Sequence, residues 1–214
     1  MSNSQATGKM RKRALSERAK QTRERVFDAA ETIFATRGFD GATIRDIAAA
    51  AGEPVGTIHH HGGGKEALFN TVVARRAETL SQARLAALEA AGVSKPMDLR
   101  SVLSAFIRPL FDLVEEDPRW QNYAKLVAFV SVDDRWTEIA AQHFDPTAHK
   151  FMEELQCLLP KLSRQRIAEG FVFTVSAMLA LVTSERRISA LGEGTSHTAS
   201  VDHLVAFCAA GFGD

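Results

Sequence analysis

Two cysteines in 214 residues, Cys157 and Cys208, stand far apart in apolar sequence, too few and too isolated for a disulfide framework or a zinc site. Both are expected to be buried free thiols. Tyrosine occurs once, and no alternating apolar-polar run, internal repeat or low-complexity block is present, so strands have little to build on. The most apolar stretch, Phe171 to Thr183, is too short for a bilayer and is broken by Thr174 and Ser176. The basic N-terminus is followed by no apolar segment of the kind a secretory signal carries. A cytoplasmic protein without membrane contact is the expectation. A nucleophile elbow, a metal box and a phosphate loop are also missing, so neither an enzyme nor a bound cofactor or metal is expected.

What is present is an ordinary globular composition, 45% apolar and 24% charged, with 26 basic and 26 acidic residues. The balance hides an uneven distribution. Between Lys9 and Arg25 lie eight basic residues (Lys9, Arg11, Lys12, Arg13, Arg18, Lys20, Arg23, Arg25) against Glu17 and Glu24. Affinity for phosphate therefore belongs to one end of the chain. Residues 1–18 read as a mobile basic arm, and an amphipathic helix follows from about Ala19 to Arg37, with Val26, Ala30, Ile33 and Phe34 on one face and Gly38 as its stop.

Thr43 then stands as an N-cap before Ile44, Ile47 and Ala48 at helical spacing, and Gly52 closes the run. Pro54 opens a second short helix carrying Gly56, Thr57 and Ile58. Helix, tight glycine turn and helix make a helix-turn-helix, with Ile47 and Ile58 packing between the two and the second helix free to enter a major groove. Lys65 opens a long helix towards Ala91. From Thr22 to Phe69 the chain closely resembles the DNA-binding domain of the tetracycline-repressor (TetR) family, on residues that include Ala29, Ala30, Phe34, Gly38, Thr43, Ile44, Ile47, Ala48, Gly52, Gly56, Thr57, Ile58, Lys65, Glu66, Ala67 and Leu68.

The resemblance implies an all-α protein: a three-helix DNA-binding domain over 19–68 and a larger effector-binding and dimerisation domain over 69–214, joined by the helix from 65 to about 91. It also implies the residues that meet DNA. Thr43, Thr57, His59 and Lys65 are expected on phosphates, Arg45, Val55 and His60 near base edges, and Gly56 where the backbone approaches the duplex. Four positions depart from the family pattern, which usually has valine at Glu53, serine at Pro54, tyrosine at His59 and phenylalanine at Gly62. Losing that aromatic removes on the order of 3 kcal/mol of packing if the site is buried, and Glu53 is expected to tilt into solvent. His59, His60 and His61 point about 100° apart on a helix, which keeps them from converging on one ion.

Beyond Met97 only helical patterns appear, capped at Asp98, Asp117-Pro118, Asp145-Pro146 and Ser163, with Pro109 expected to kink or divide its helix. One long helix is expected from Ser163 to about Leu191 and a last one from Ala199 to Ala210. The family's architecture implies an inducer pocket, for which Phe106, Leu110, Trp120, Tyr123, Val127, Val130, Phe151 and Phe173 are candidates. Thirteen phenylalanines against a single tyrosine point to a small apolar or aromatic effector. Arg108, Arg135, Arg186 or Arg187 are the candidates to meet a carboxylate. The dimer interface expected by resemblance uses Phe171, Val175, Met178, Val182, Leu204 and Phe207. These expectations describe a homodimeric repressor on a pseudopalindromic double-stranded operator, released by its effector. The alternative is a DNA-binding adaptor controlled by a protein partner, with no small-molecule pocket.

Overall fold

The computed structural model describes the backbone of residues 3–94, 96–192 and 197–213, and side chains from residue 16 apart from residues 94, 185 and 197–199. Among these residues all regular structure is helical, as the missing strand patterns predicted. The first helix, α1, spans Asn3–Gly41 and is broken at Gly38, where φ is 69° and a side chain is poorly tolerated. Its start differs from the expected mobile arm. The backbone is helical from Asn3, and residues 11–25 are dominated by Arg, Lys, Glu, Gln and Ala, all good helix formers. Met1 and the side chains of Lys9, Arg11, Lys12 and Arg13 lie outside the described residues.

Helices α2 (Ile44–Ala51) and α3 (Val55–Gly62) follow, then α4 (Lys65–Ser94). Packing divides the chain into two units, Met1–Val72 and Val73–Asp214, so the division falls inside α4. In the first unit α1 packs on α2 and α3, and Val26, Ala30 and Phe34 of α1, Ile47 and Ala48 of α2, Ile58 of α3 and Leu68 and Phe69 of α4 are all buried. Each large side chain there contributes about 1.5–3 kcal/mol. Phe69 is the hub of an aromatic triad, edge-on to Phe34 at 5.1 Å and to Phe39 at 5.4 Å between ring centroids.

The second unit holds α5 (Leu99–Glu116), α6 (Arg119–Val132), a 3-10 turn at Asp134–Trp136, α7 (Thr137–His143), α8 (Asp145–Leu158), α9 (Arg164–Thr183), α10 (Glu185–Leu191) and α11 (His197–Gly211). Asp98 and Ser163 cap α5 and α9 as their positions predicted. Pro109 neither ends nor divides α5, because Phe106, Ile107, Leu110 and Phe111 around it are all buried and hold the helix through it. The single helix expected from Ser163 to Leu191 is two. It breaks at Ser184, whose backbone leaves the helical region (φ −113°, ψ 20°) between α9 and α10. Gly194, an expected stop, lies outside the described residues.

Because α9 begins at Arg164, it is 20 residues long and, by length and composition, apolar enough to cross a bilayer, contrary to the reading from Phe171 onward. In this unit it packs on α6, α8 and α11 and buries Ile167, Phe171, Thr174, Met178 and Leu179. Cys208 is buried as expected, and burial pushes its thiol pKa up, whereas Cys157 is exposed.

Candidate nucleic-acid interface and cavity

The helix-turn-helix is held by local hydrogen bonds as well as by packing. Thr43 accepts from the Asp46 backbone N–H at 3.1 Å, and the Asp46 carboxylate accepts from the Thr43 backbone N–H at 3.2 Å, a reciprocal cap on α2. The Thr43 hydroxyl also donates to Asp46 at 2.7 Å, and Arg37 pairs with the same carboxylate at 2.8 Å. These two partners hold the Asp46 pKa below its ordinary 3.8, the threonine contributing most. The hydroxyl expected on a phosphate is therefore already engaged with Asp46. At the other end Gly52, at φ 65°, closes α2 in the left-handed region.

Glu53, expected in solvent, is instead paired with Arg25 of α1 at 2.5 Å and is largely shielded. The ion pair ties the turn between α2 and α3 to α1 and gives the Glu53 carboxylate a counter-charge. Pro54 caps the start of α3, and Thr57 donates its N–H to the Pro54 carbonyl at 2.9 Å. Ile58 is fully buried where α3 packs on α2, so the opposite face of α3 turns outward. Val55, Gly56, His59 and His60 are exposed there, Thr57 is half-buried beside them, and Arg45 is exposed on the first turn of α2. The eight expected DNA contacts are thus grouped on α2, α3 and the start of α4.

His59 Nδ1 lies 3.1 Å from the Gly63 carbonyl; a proton on Nδ1 donates there and leaves Nε2 outward. His60 and His61 meet edge to face at 4.9 Å, and no group of three potential metal ligands occurs among the described residues. Lys65 reaches the Asp40 carbonyl at 3.4 Å and lies 4.5 Å from the Phe39 ring, which positions its ammonium at the base of α4. Gly62 is buried, but no hollow replaces the missing aromatic. A Cβ at this position would lie 2.6 Å from Leu68 Cδ1, so Leu68 fills the space and the expected packing loss does not arise.

In the second unit a cavity of about 340 Å³ opens among α4, α5, α6, α7, α8 and α9. Of the expected lining, Phe106, Leu110 and Val127 are on its wall, together with Phe144, Met152, Phe171 and Met178. Trp120, Tyr123, Val130 and Phe151 are buried in the surrounding core instead. Phe173 is corrected most: it lies about 200° around α9 from Phe171 and is 64% exposed. The expected interface residues are also redistributed. Phe171, Met178 and Leu204 are buried within the protomer, Val175 and Val182 are half-buried, and Phe207 is 66% exposed. Among the described residues, the large apolar side chains left outside on α9 to α11 are Val172, Phe173, Ile188, Leu191 and Phe207.

The residue missed from sequence is Arg84 of α4, only 7% exposed and on the cavity wall. It donates Nε to the Phe106 carbonyl at 2.9 Å and Nη2 to Met178 sulfur at 3.4 Å, with its guanidinium carbon 3.8 Å from the Phe106 ring centroid. Burial pushes its pKa down to about 9, partly opposed by the nearby Tyr123 phenol, so the group is still cationic at neutral pH. The signal was present in the spacing: Leu80, Arg84 and Leu88 lie four apart on one stripe of α4. The arginines proposed for a carboxylate are elsewhere: Arg108 is paired with Asp202, Arg135 with Asp133, and Arg186 and Arg187 are exposed.

Residues 26–72 match the family described as bacterial regulatory proteins, tetR family, and residues 104–211 match the tetracyclin repressor-like C-terminal domain. The chain is 40% identical over 65 residues to the HTH-type transcriptional repressor AcnR of Corynebacterium efficiens, a stretch covering 28% of this chain and 35% of that protein. It is 41% identical over 51 residues to the HTH-type transcriptional repressor KstR2 of Rhodococcus jostii, covering 24% and 25%. The matched stretches are thus well under half the length of these relatives. Among solved structures, a transcriptional regulator from Rhodococcus sp. Rha1 superposes with a TM-score of 0.58 at 20% identity, covering 88% of this chain and 94% of that one. The fatty acid degradation regulator FadR of Bacillus halodurans gives 0.58 at 15% identity, covering 87% and 93%. At such identities these structures share the fold alone.

Proposed function

The chain belongs to the tetracycline-repressor family of DNA-binding transcriptional regulators, and from that premise we propose that it is a cytoplasmic, homodimeric repressor released from its operator by a small, largely apolar effector. The observation that carries the DNA half is the outward face of α3, where Val55, Gly56, His59 and His60 are exposed while Ile58 anchors the helix behind them. Arg45, Val55 and His60 read base edges. Thr57, His59 and Lys65 hold phosphates, which position the helix without reading sequence. Thr43 contributes through the cap it forms with Asp46, and contacts phosphate only by exchanging that partner.

The cavity supports effector control over the adaptor reading, which needs no hollow. Its size falls at the lower end of the roughly 300–1,000 Å³ typical of small-molecule sites, and its wall is mostly apolar. An effector that binds one state of the dimer better shifts the population away from the DNA-binding state, and the operator must weaken effector binding by the same factor. The test is selection of double-stranded sequences from a random pool by the full chain, followed by affinity against salt. A twofold-symmetric consensus bound by a dimer is the expected result, with half-sites about 34–36 Å apart or at a related spacing. Recovery of no consensus, or of single half-sites bound by a monomer, overturns the reading.

A further inference from the structure

The charge on Arg84 is unexplained by the rest of the protein. Its acceptors are a carbonyl, a thioether and an aromatic face, all neutral, and no carboxylate among the described residues pairs with it. A buried cation without a counter-charge is expensive. Elsewhere in the same unit arginines do meet acids: Arg76 and Arg119 share Asp117 at 3.7 and 3.0 Å, and Arg135 holds Asp133 at 2.6 Å. Of the five N–H donors of a guanidinium, Arg84 commits two within the protein and keeps three. Asp145 also lines the cavity, on the exposed first turn of α8, and makes no ion pair with Arg84.

We propose that the cavity takes a small organic carboxylate with an aliphatic or aromatic body, its carboxylate held by Arg84 and its body among Phe106, Phe171, Met152 and Met178. The inference rests on the reading of this cavity as an effector site and names the effector's chemistry. A monoanion suits the site better than a phosphate: the wall carries one buried arginine, no lysine, an exposed histidine, His149, and an aspartate that repels a second negative charge. Charge-assisted pairing with a guanidinium fork supplies what the neutral acceptors lack.

The test is calorimetric titration of the full chain at neutral pH with hexanoate, octanoate, decanoate and 4-phenylbutyrate, each against its primary amide. The expected result is at least one acid bound tenfold or more tighter than its amide, with the preference gone in Arg84→Met. Ala168→Phe, which fills the cavity from α9, abolishes binding of both. Equal binding of acid and amide to the wild-type chain overturns the carboxylate assignment, and if that binding is still lost in Ala168→Phe the effector site itself stands. Absence of binding across the whole panel, or binding indifferent to Ala168→Phe, overturns both. The acid-against-amide comparison in the wild-type chain keeps the proposal falsifiable should Arg84→Met fail to fold.

Discussion

Gly56 sits inside α3, where its backbone angles are ordinary and a Cβ would meet nothing within 4 Å. Nothing in the protein alone requires glycine there, and glycine inside a helix costs roughly 0.5–1 kcal/mol relative to alanine. Gly56→Ala is therefore expected to raise the unfolding midpoint slightly while weakening operator binding tenfold or more, as measured by chemical denaturation and fluorescence anisotropy. Unchanged DNA affinity would show that the backbone at this position does not approach the duplex. Asp46 offers a second check through pH. Its lowered pKa stabilises the folded unit at pH values above the ordinary 3.8, and that contribution is lost as pH falls through the folded value. Asp46→Asn should thus be less stable than the wild-type chain at neutral pH, and the gap should close towards pH 2. A gap that persists there means the ion pair and cap are not its source.

The short helices α2 and α3 were legible because their signals are local: Thr43, Gly52 and Pro54 act on backbone within a few residues of themselves. Contacts between elements were not. Nothing near Gly62 announces that Leu68 takes the aromatic's place, or that Arg25, 28 residues away, neutralises Glu53. Likewise Phe171, Val172 and Phe173 are all apolar, so periodicity alone could not tell the cavity face of α9 from its outer face. The Gly62–Leu68 contact joins α3 to α4 and gives an element-scale prediction. Gly62→Phe should destabilise the first unit by about 1–3 kcal/mol through overpacking, and Leu68→Ala by about 2–5 kcal/mol through a cavity. The double variant should lose much less than the sum, read from denaturation midpoints, because the ring enters the space that Leu68 leaves. Strict additivity would mean that the two side chains do not compete for one seat.

At the scale of the whole molecule, the protomer leaves an apolar surface on α9 and α11 that a soluble monomer gains nothing by exposing. Phe173 and Phe207 both line one shallow hollow in it. Burying a phenylalanine contributes about 1.5–3 kcal/mol, so two rings on each of two protomers supply roughly 6–12 kcal/mol. Association costs an estimated 4–15 kcal/mol, a comparable figure, which leaves these rings little margin to lose. In a twofold interface every substitution occurs twice, so Phe207→Glu removes half of the aromatic contribution and places two carboxylates against an apolar face. The expected outcome is a monomer by analytical ultracentrifugation, still helical by circular dichroism, with operator affinity reduced at least a hundredfold because one recognition helix must act alone. A variant that remains dimeric and keeps its operator affinity would remove this face from the interface and require the twofold axis to pass elsewhere.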